Sequence, residues 1–363
     1  MRAASRWVLV ATGLAVAVAV PPALASLPVG APHVPPAELA ARVVASGGHP
    51  YQGYAETRAG LGLPDLPNAG VLPSLLSTTT RMRTWYRGPR SWRTDVLTSV
   101  GERDQYLDAD GTMSWDAGRR RATDVDGIQA VRLARPQDVL PPELGRRLVV
   151  EAAAAELSPL AAKRVAGRSV PGLRITPRAT DTTVGRVDLW ADAASGVPLE
   201  VVVTPRGTSS PAIISRFLDV SLSDPGPGVV TFRPGPEARL TRDQFADVAT
   251  ALDRLSPLVL PDGEAGLARR GSHQGPALTY GSGFTVVAVL ALPSRLLPAG
   301  PRFLPTASTV TGPWGQAKLV ETSLLNGMAF SDGGVGYVVA GTVTTARLEQ
   351  VATAVVTQGV SLR

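Results

Sequence analysis

Side-chain catalysis needs a constellation of reactive groups, and this chain carries few of the residues that build one. Its 363 residues include no cysteine and three histidines, His33, His49 and His273. Thiolate nucleophiles, disulfides and Cys-ligated metals are therefore excluded. The histidines have no metal-site spacing, and His33 and His49 fall in loop-like stretches. Gly281-Ser282-Gly283 lacks the longer frame of a nucleophile elbow and reads as a turn. Asp108-Ala109-Asp110-Gly111 opens like a calcium loop, but the third acidic position and the distal glutamate are missing. A hairpin turn accounts for it better. Asp124 and Asp126 sit in a polar stretch and read as solvated, and no glycine-rich phosphate cradle occurs. The expectation is a non-enzymatic protein without metal or cofactor.

The residues suited to binding are apolar. Met82, Trp92, Met113 and Trp115 recur at strand spacing between Thr78 and Asp116. Flexible methionine and flat tryptophan fit a surface that must accept variable chains. We expect these four to line one hollow, with Arg83 beside it as a further ligand-binding residue. Ordinary packing of the sheet against a helix is the alternative. Arg81, Arg87 and Arg93 would meet an anionic headgroup there, or form a solvated strand face.

The elements that must position these residues start with that stretch. Four short alternating runs, separated by Gly88-Pro89, Gly101 and Asp108 to Gly111, predict an antiparallel meander. Before it, Pro36-Ala37-Glu38 opens a short helix that Gly47-Gly48 closes, and Tyr51-Gln52-Gly53-Tyr54 begins a first strand. After it, Pro141-Pro142-Glu143 opens a helix with a stripe through Leu144, Leu148, Val149, Ala152 and Ala155. Strand patterns return from Arg164 onward and run to Phe232. Pro234-Gly235-Pro236 marks a boundary, beyond which Thr241 and Gln244 form a capping box for a helix buried through Phe245, Val248, Leu252 and Leu255. Strands then follow, with turns at Asn326-Gly327 and Asp332-Gly333-Gly334, and a last helix starts at Thr344 or Thr345 and ends at Gly359. Sheet, helix and sheet in succession imply an α+β fold.

With 44% hydrophobic and 18% charged residues, the chain can bury a substantial core. Its net charge of +6 comes from scattered arginine, without the basic helix or aromatic-basic motif of nucleic-acid binders. Arg2 and Arg6 precede an apolar run from Val8 to Val20, followed by Pro21-Pro22 and the small-x-small site Ala23-Leu24-Ala25. This is the pattern of a secretory signal peptide, too short in its apolar part for a comfortable membrane span. Its removal takes away two arginines and no acids, so the net charge falls from +6 to +4.

Tyr51-Gln52-Gly53, Trp85-Tyr86-Arg87-Gly88-Pro89, the run from Gly185 to Trp190 and Ser195-Gly196-Val197-Pro198-Leu199 together resemble the LolA-like superfamily. The two-part layout, with Leu278 to Gly283 opening the later strands, is most similar to the RseB/MucB sigma-factor regulatory proteins. That resemblance implies a curved, unclosed antiparallel sheet, a half-barrel enclosing helices, plus a smaller C-terminal α+β domain. Expected boundaries are 1–25 for the signal peptide, 26–236 for the lipid-binding domain and 237–363 for the C-terminal domain. It also implies a carrier or sensor of lipid or lipoprotein acyl chains, or a regulator of an extracytoplasmic anti-sigma or other membrane protein. The strand rich in arginine and the lack of a lipoprotein cysteine are departures, so an outer-membrane shuttle role does not transfer. The exported form should begin at Ser26. Intact mass of the secreted protein checks this, and a retained Met1 in the membrane fraction would make it an anchored protein.

Overall fold

The computed structural model describes residues 30–62, 72–99, 101–109, 111–125, 135–235, 238–243, 256–296 and 307–362. The expected signal peptide and the expected helical face from Phe245 to Leu255 lie outside the described residues.

The meander forms as its alternation demands. Strands β1 (Tyr51–Ala59), β2 (Thr79–Gly88), β3 (Ser91–Thr98), β4 (Gly101–Asp108), β5 (Gly111–Asp116) and β6 (Arg121–Val125) pair in sequence order. On the other side of β1 lie β11 (Ile213–Ser221), β10 (Pro198–Pro205), β9 (Val184–Ala191), β8 (Arg168–Ile175) and β7 (Leu157–Val165), in that spatial order. All these pairs are antiparallel. The two outer strands do not pair with each other, so the sheet stays unclosed. Its inner face packs on helices α1 (Pro36–Ala45), α2 (Leu72–Ser77) and α3 (Pro141–Val150). Leu39, Val43, Leu173, Val187, Leu189 and Val201 are fully buried in one inner cluster; Tyr51, Met82, Leu140, Leu199 and Phe217 anchor another. Each such side chain contributes about 1.5–3 kcal/mol through apolar area removed from water. The fold is therefore α+β with a curved open sheet, as expected.

The outer face is organised differently. Opposed charges sit in rows: Arg174 on Asp188, Lys163 on Glu200, and Arg58, Arg81 and Arg216 on Glu56. After β11 the chain crosses this face as a strap containing one helical turn, α4 (Pro227–Val230). Asp224 grips Arg87 through both carboxylate oxygens at 2.8 and 3.0 Å, and Phe232 lies against Tyr106 and Trp115. The strap ends as β12 (Arg239–Asp243), which pairs parallel with β6.

Several sequence expectations are corrected here. Thr241 lies in β12, where its hydroxyl bonds the Ala122 carbonyl, so it caps no helix. The first sheet consequently runs past residue 236. Helix α3 stops at Val150, and Ala153 to Ala155 are exposed instead of forming a packed face. The chain passes through a 3₁₀ turn, Ala154–Glu156, into β7, which begins at Leu157, well before Arg164. Pro159 is tolerated because β7 is an edge strand. Asn326-Gly327 belongs to a strand, and the turn precedes it at residues 322–325.

The C-terminal part forms an eight-stranded sheet, from β14 (Gly263–Glu264) and β15 (Leu267–Arg270) through β16 (Ala277–Ser282), β17 (Thr285–Pro293), β21 (Val335–Gly341), β20 (Asn326–Asp332) and β19 (Gly315–Glu321) to β18 (Ser308–Gly312). A separate two-stranded pair joins β13 (Leu258–Val259) to β22 (Ser361–Leu362). Helix α5 (Thr345–Gln358) covers the larger sheet with Leu348, Val351, Ala352 and Val355, all fully buried. Thr344 caps it and Gly359 ends it at φ 71°, as the sequence predicted. The two sheets meet at a seam. Thr182 is fully buried there with its hydroxyl 2.8 Å from the Phe284 carbonyl and 3.0 Å from that of Thr342, while Phe284 and Leu324 enter the first sheet's core.

One group in this second core is not matched to its surroundings. Glu264 is fully buried, and neither carboxyl oxygen has a hydrogen-bond partner among the described residues. Burial pushes its pKa up from 4.5 to about 7, because the charged form cannot be solvated. The folded-state value lies above the unfolded one, so this contribution is fully present below about 4.5 and is lost as pH rises through about 7. Glu264→Gln should therefore exceed the parent in stability at pH 8 by on the order of 2–3 kcal/mol. The difference should vanish near pH 4. Urea denaturation at the two pH values checks it.

Candidate ligand-binding site

Between the sheet and α3 lies a hollow of about 400 Å³, toward the small end of ligand sites. One wall is a row of cross-strand neighbours. Tyr86 of β2 is opposite Trp92 of β3, which is opposite Leu107 of β4. Residues opposed in this way share a face, so the three side chains stand side by side. The other wall comes from the 3₁₀ turn Pro136–Val139 and from α3, through Gln137, Asp138, Glu143 and Arg146.

The polar wall is pinned to the sheet by buried hydrogen bonds. Gln137 accepts from the Thr94 hydroxyl at 2.6 Å and donates to the Tyr51 phenol at 3.0 Å. Tyr51 stacks on Tyr86 with ring centroids 4.7 Å apart, and the Tyr86 hydroxyl donates to the Gly47 carbonyl at 2.5 Å. Burial raises both phenol pKa values, keeping the two rings neutral. Asp138 accepts from the Arg147 side chain and from the Arg135 backbone, both at 2.7 Å. Arg146 donates to Glu143, and its guanidinium lies 5.9 Å from the Tyr86 ring centre. Its Nη1 is buried and has no partner among the described residues. Arg146 thus lines the same small hollow as the apolar row. This arrangement suits an amphiphile: an apolar segment against Trp92 and Leu107, and an anionic or carbonyl oxygen accepting from Arg146.

The five residues singled out in the sequence are not brought together. Trp92 lines the hollow. Met82 shares its face but is fully buried in the core behind it. Met113 and Trp115 are on the outer face, because Met113 pairs with Tyr106 and Trp115 with Asp104, whereas Leu107 pairs with Thr112. Trp115 instead packs on Phe232 of the strap. Arg83 is exposed on the outer face opposite Asp95. Arg81, Arg87 and Arg93 also face outward and are ion-paired, so none attends the hollow. Arg93 binds Asp95 at 2.6 Å and Asp104 at 3.2 Å while lying 4.9 Å from the ring centres of Trp85 and Tyr106. Asp95, Glu102 and Asp104 bring carboxylates within 4.8 Å of one another, a spacing a cation could use. The Arg93 guanidinium already supplies positive charge there. The sequence reading missed Tyr86, Leu107, Gln137, Glu143 and Arg146. Alternation alone places Tyr86 on the face of Met82, and Glu143 with Arg146 has the i,i+3 spacing of a helical pair.

No protein-family model matches the chain, and no curated protein matches it. The chain is similar to the MucA/MucB complex structure of Pseudomonas aeruginosa, with 16% identity over 90% of this chain and 98% of that one, at a TM-score of 0.49. A structure of MucB in complex with periplasmic MucA gives the same identity and TM-score over 99% of its chain. A LolA superfamily protein from Nitrosomonas europaea is 11% identical over 55% of this chain and 99% of its own, with a TM-score of 0.24.

The closeness of α3 to the sheet sets the width of the hollow. A Cβ at Gly145 would stand 2.8 Å from both Leu189 Cδ1 and Pro198 Cγ. Glycine to alanine ordinarily favours a helix by up to about 1 kcal/mol. Here Gly145→Ala should instead cost about 1–3 kcal/mol by overpacking. Chemical denaturation reads the sign directly.

Proposed function

We propose that this is an extracytoplasmic, non-enzymatic protein that takes a lipid or other amphiphile into its concave hollow, as carrier or sensor. The observation that carries the proposal is the pairing of an apolar row, Tyr86, Trp92 and Leu107, with the cationic side chain of Arg146 across about 400 Å³. That space suits one acyl segment or a small amphiphile better than a whole two-chain lipid. The signal-peptide pattern of residues 1–25 supports the compartment. Absence of a catalytic constellation in the sequence supports a binding role.

Displacement of a fluorescent fatty acid tests this. Trp92→Ala and Leu107→Ala should each weaken binding at least tenfold, equivalent to about 1.4 kcal/mol. Trp92→Ala should cost less stability than the 3–5 kcal/mol typical of a close-packed aromatic, because one side of the ring faces the hollow. Trp115→Ala, on the opposite face, should retain binding. Arg146→Gln should remove any preference for a fatty acid over the corresponding alcohol. A parent protein that binds no amphiphile would sink the proposal.

A second reading has its own observation. Glu151, at the end of α3, forms an ion pair with Arg270 of β15 in the C-terminal sheet. A ligand that shifts α3 would press on that sheet, as a regulator acting on an anti-sigma or other membrane partner through its C-terminal part requires. Ligand should then change amide exchange in β15–β17, and Arg270→Ala should remove the change. Unaltered exchange in the parent would exclude this route.

A further inference from the structure

The outer face carries a second concavity, on the side of the sheet away from the amphiphile hollow. It is a groove of about 610 Å³ lined by Tyr54, Glu56, Arg58, Thr79, Arg81 and the Leu97-Thr98 end of β3. Pairing register explains its composition: Glu56 lies opposite Arg81 on β2 and opposite Arg216 on β11. Glu56 is 3% exposed and is the single carboxylate among the lining residues. Three guanidinium groups converge on it. Arg58 Nε reaches Oε1 at 2.9 Å, Arg81 Nε reaches Oε2 at 3.3 Å, and Arg216 Nη2 reaches Oε1 at 3.3 Å.

A lone buried carboxylate would resist ionisation, and burial does push Glu56 upward. Hydrogen bonds and charge from the three arginines outweigh that and hold it below the ordinary range. Glu56 therefore remains charged and acts as a brace. Three arginines against one carboxylate leave a formal charge of +2 around Glu56, two of them, Arg58 and Arg81, lining the groove. Arg58 and Arg81 spend only Nε on the brace, and their side chains are 57% and 60% exposed. Both side chains line the groove. The strap grips Arg87 and Tyr106 and leaves this end of the face uncovered.

We propose that this groove is a binding site for a phosphate-class dianion, braced by Glu56 and contacted by Arg58 and Arg81, with Arg216 holding Glu56 from β11. A dianion cancels the residual charge, and tetrahedral oxygens accept from several guanidinium forks at once. A monocarboxylate would cancel half of that charge. Free phosphate and the phosphomonoester head of a lipid present the same oxygens to this site.

Calorimetric titration with inorganic phosphate, at constant ionic strength in chloride, is the test, with co-sedimentation on vesicles as its second arm. Saturable phosphate binding is expected. Arg81→Ala should weaken it at least tenfold, and Arg81→Lys nearly as much, since lysine keeps the charge and loses the fork. Lys318→Gln, which removes a cation from the C-terminal sheet, should leave it unchanged. Melting curves confirm that each variant is folded. Sedimentation with phosphatidic acid vesicles but not with phosphatidylcholine, reversed by phosphate, would assign the headgroup source; phosphate binding alone would assign the soluble one. The proposal is overturned if neither arm shows binding, or if Arg81→Lys and Lys318→Gln behave alike. Both outcomes are independent of fatty-acid binding in the concave hollow.

Discussion

The cross-strand register of β1 to β6 is the constraint on which the rest depends. Because opposed residues share a face, Tyr86↔Trp92↔Leu107 commits one set of side chains to the helices and Trp85↔Arg93↔Tyr106 commits the other to the strap. A slip of one residue would exchange the two sets. It would bury Arg81 and Arg93 against α3 and expose Met82 and Trp92 to water. Desolvating unpaired guanidinium groups costs several kcal/mol each, so slipped registers are strongly excluded.

The faces stabilise the sheet by different means. Inside, Leu, Val and aromatic side chains remove apolar area from water, and the few buried polar groups are locked together, as in the Gln137, Tyr51 and Thr94 set. Outside, charges are placed in opposed pairs across strands. Exposed pairs of that kind contribute little individually. Their value is geometric, since they hold long side chains in fixed places on a surface that would otherwise be a mobile fringe. Burial also penalises the Arg93, Asp95 and Asp104 group. Asp104 is pushed up to about 7, first by burial and then by the Asp95 charge, with Arg93 opposing both.

Much of this was legible in the chain. Alternation marked β2 to β5, the Asp332-Gly333-Gly334 turn was placed correctly, and the face of α5 was read residue by residue from its 3.6-residue period. The site was harder. Alternation says which residues within one strand share a face, but not how faces match across a turn. Trp92 and Trp115 lie on strands separated by two hairpins, and their relation depends on how each hairpin sets its register. Arg146 was invisible for another reason: its role comes from the distance between α3 and the sheet, which Gly145 permits and no periodic pattern encodes. Thr241 misled because a threonine with a glutamine three residues on is a good helix start in isolation. Pairing with β6, 118 positions earlier in the chain, prevailed.

That long return has a consequence for how the molecule is made. A chain that emerges amino end first completes β6 while β12 has yet to appear. Until then β6 presents open backbone donors and acceptors to anything nearby, including another copy of the same strand. The final strand of the sheet therefore covers β6 and takes over as its short outer edge. Any nascent or truncated product ending before Arg239 would carry a sticky rim, and its fate would be set by concentration and not by the strength of its core.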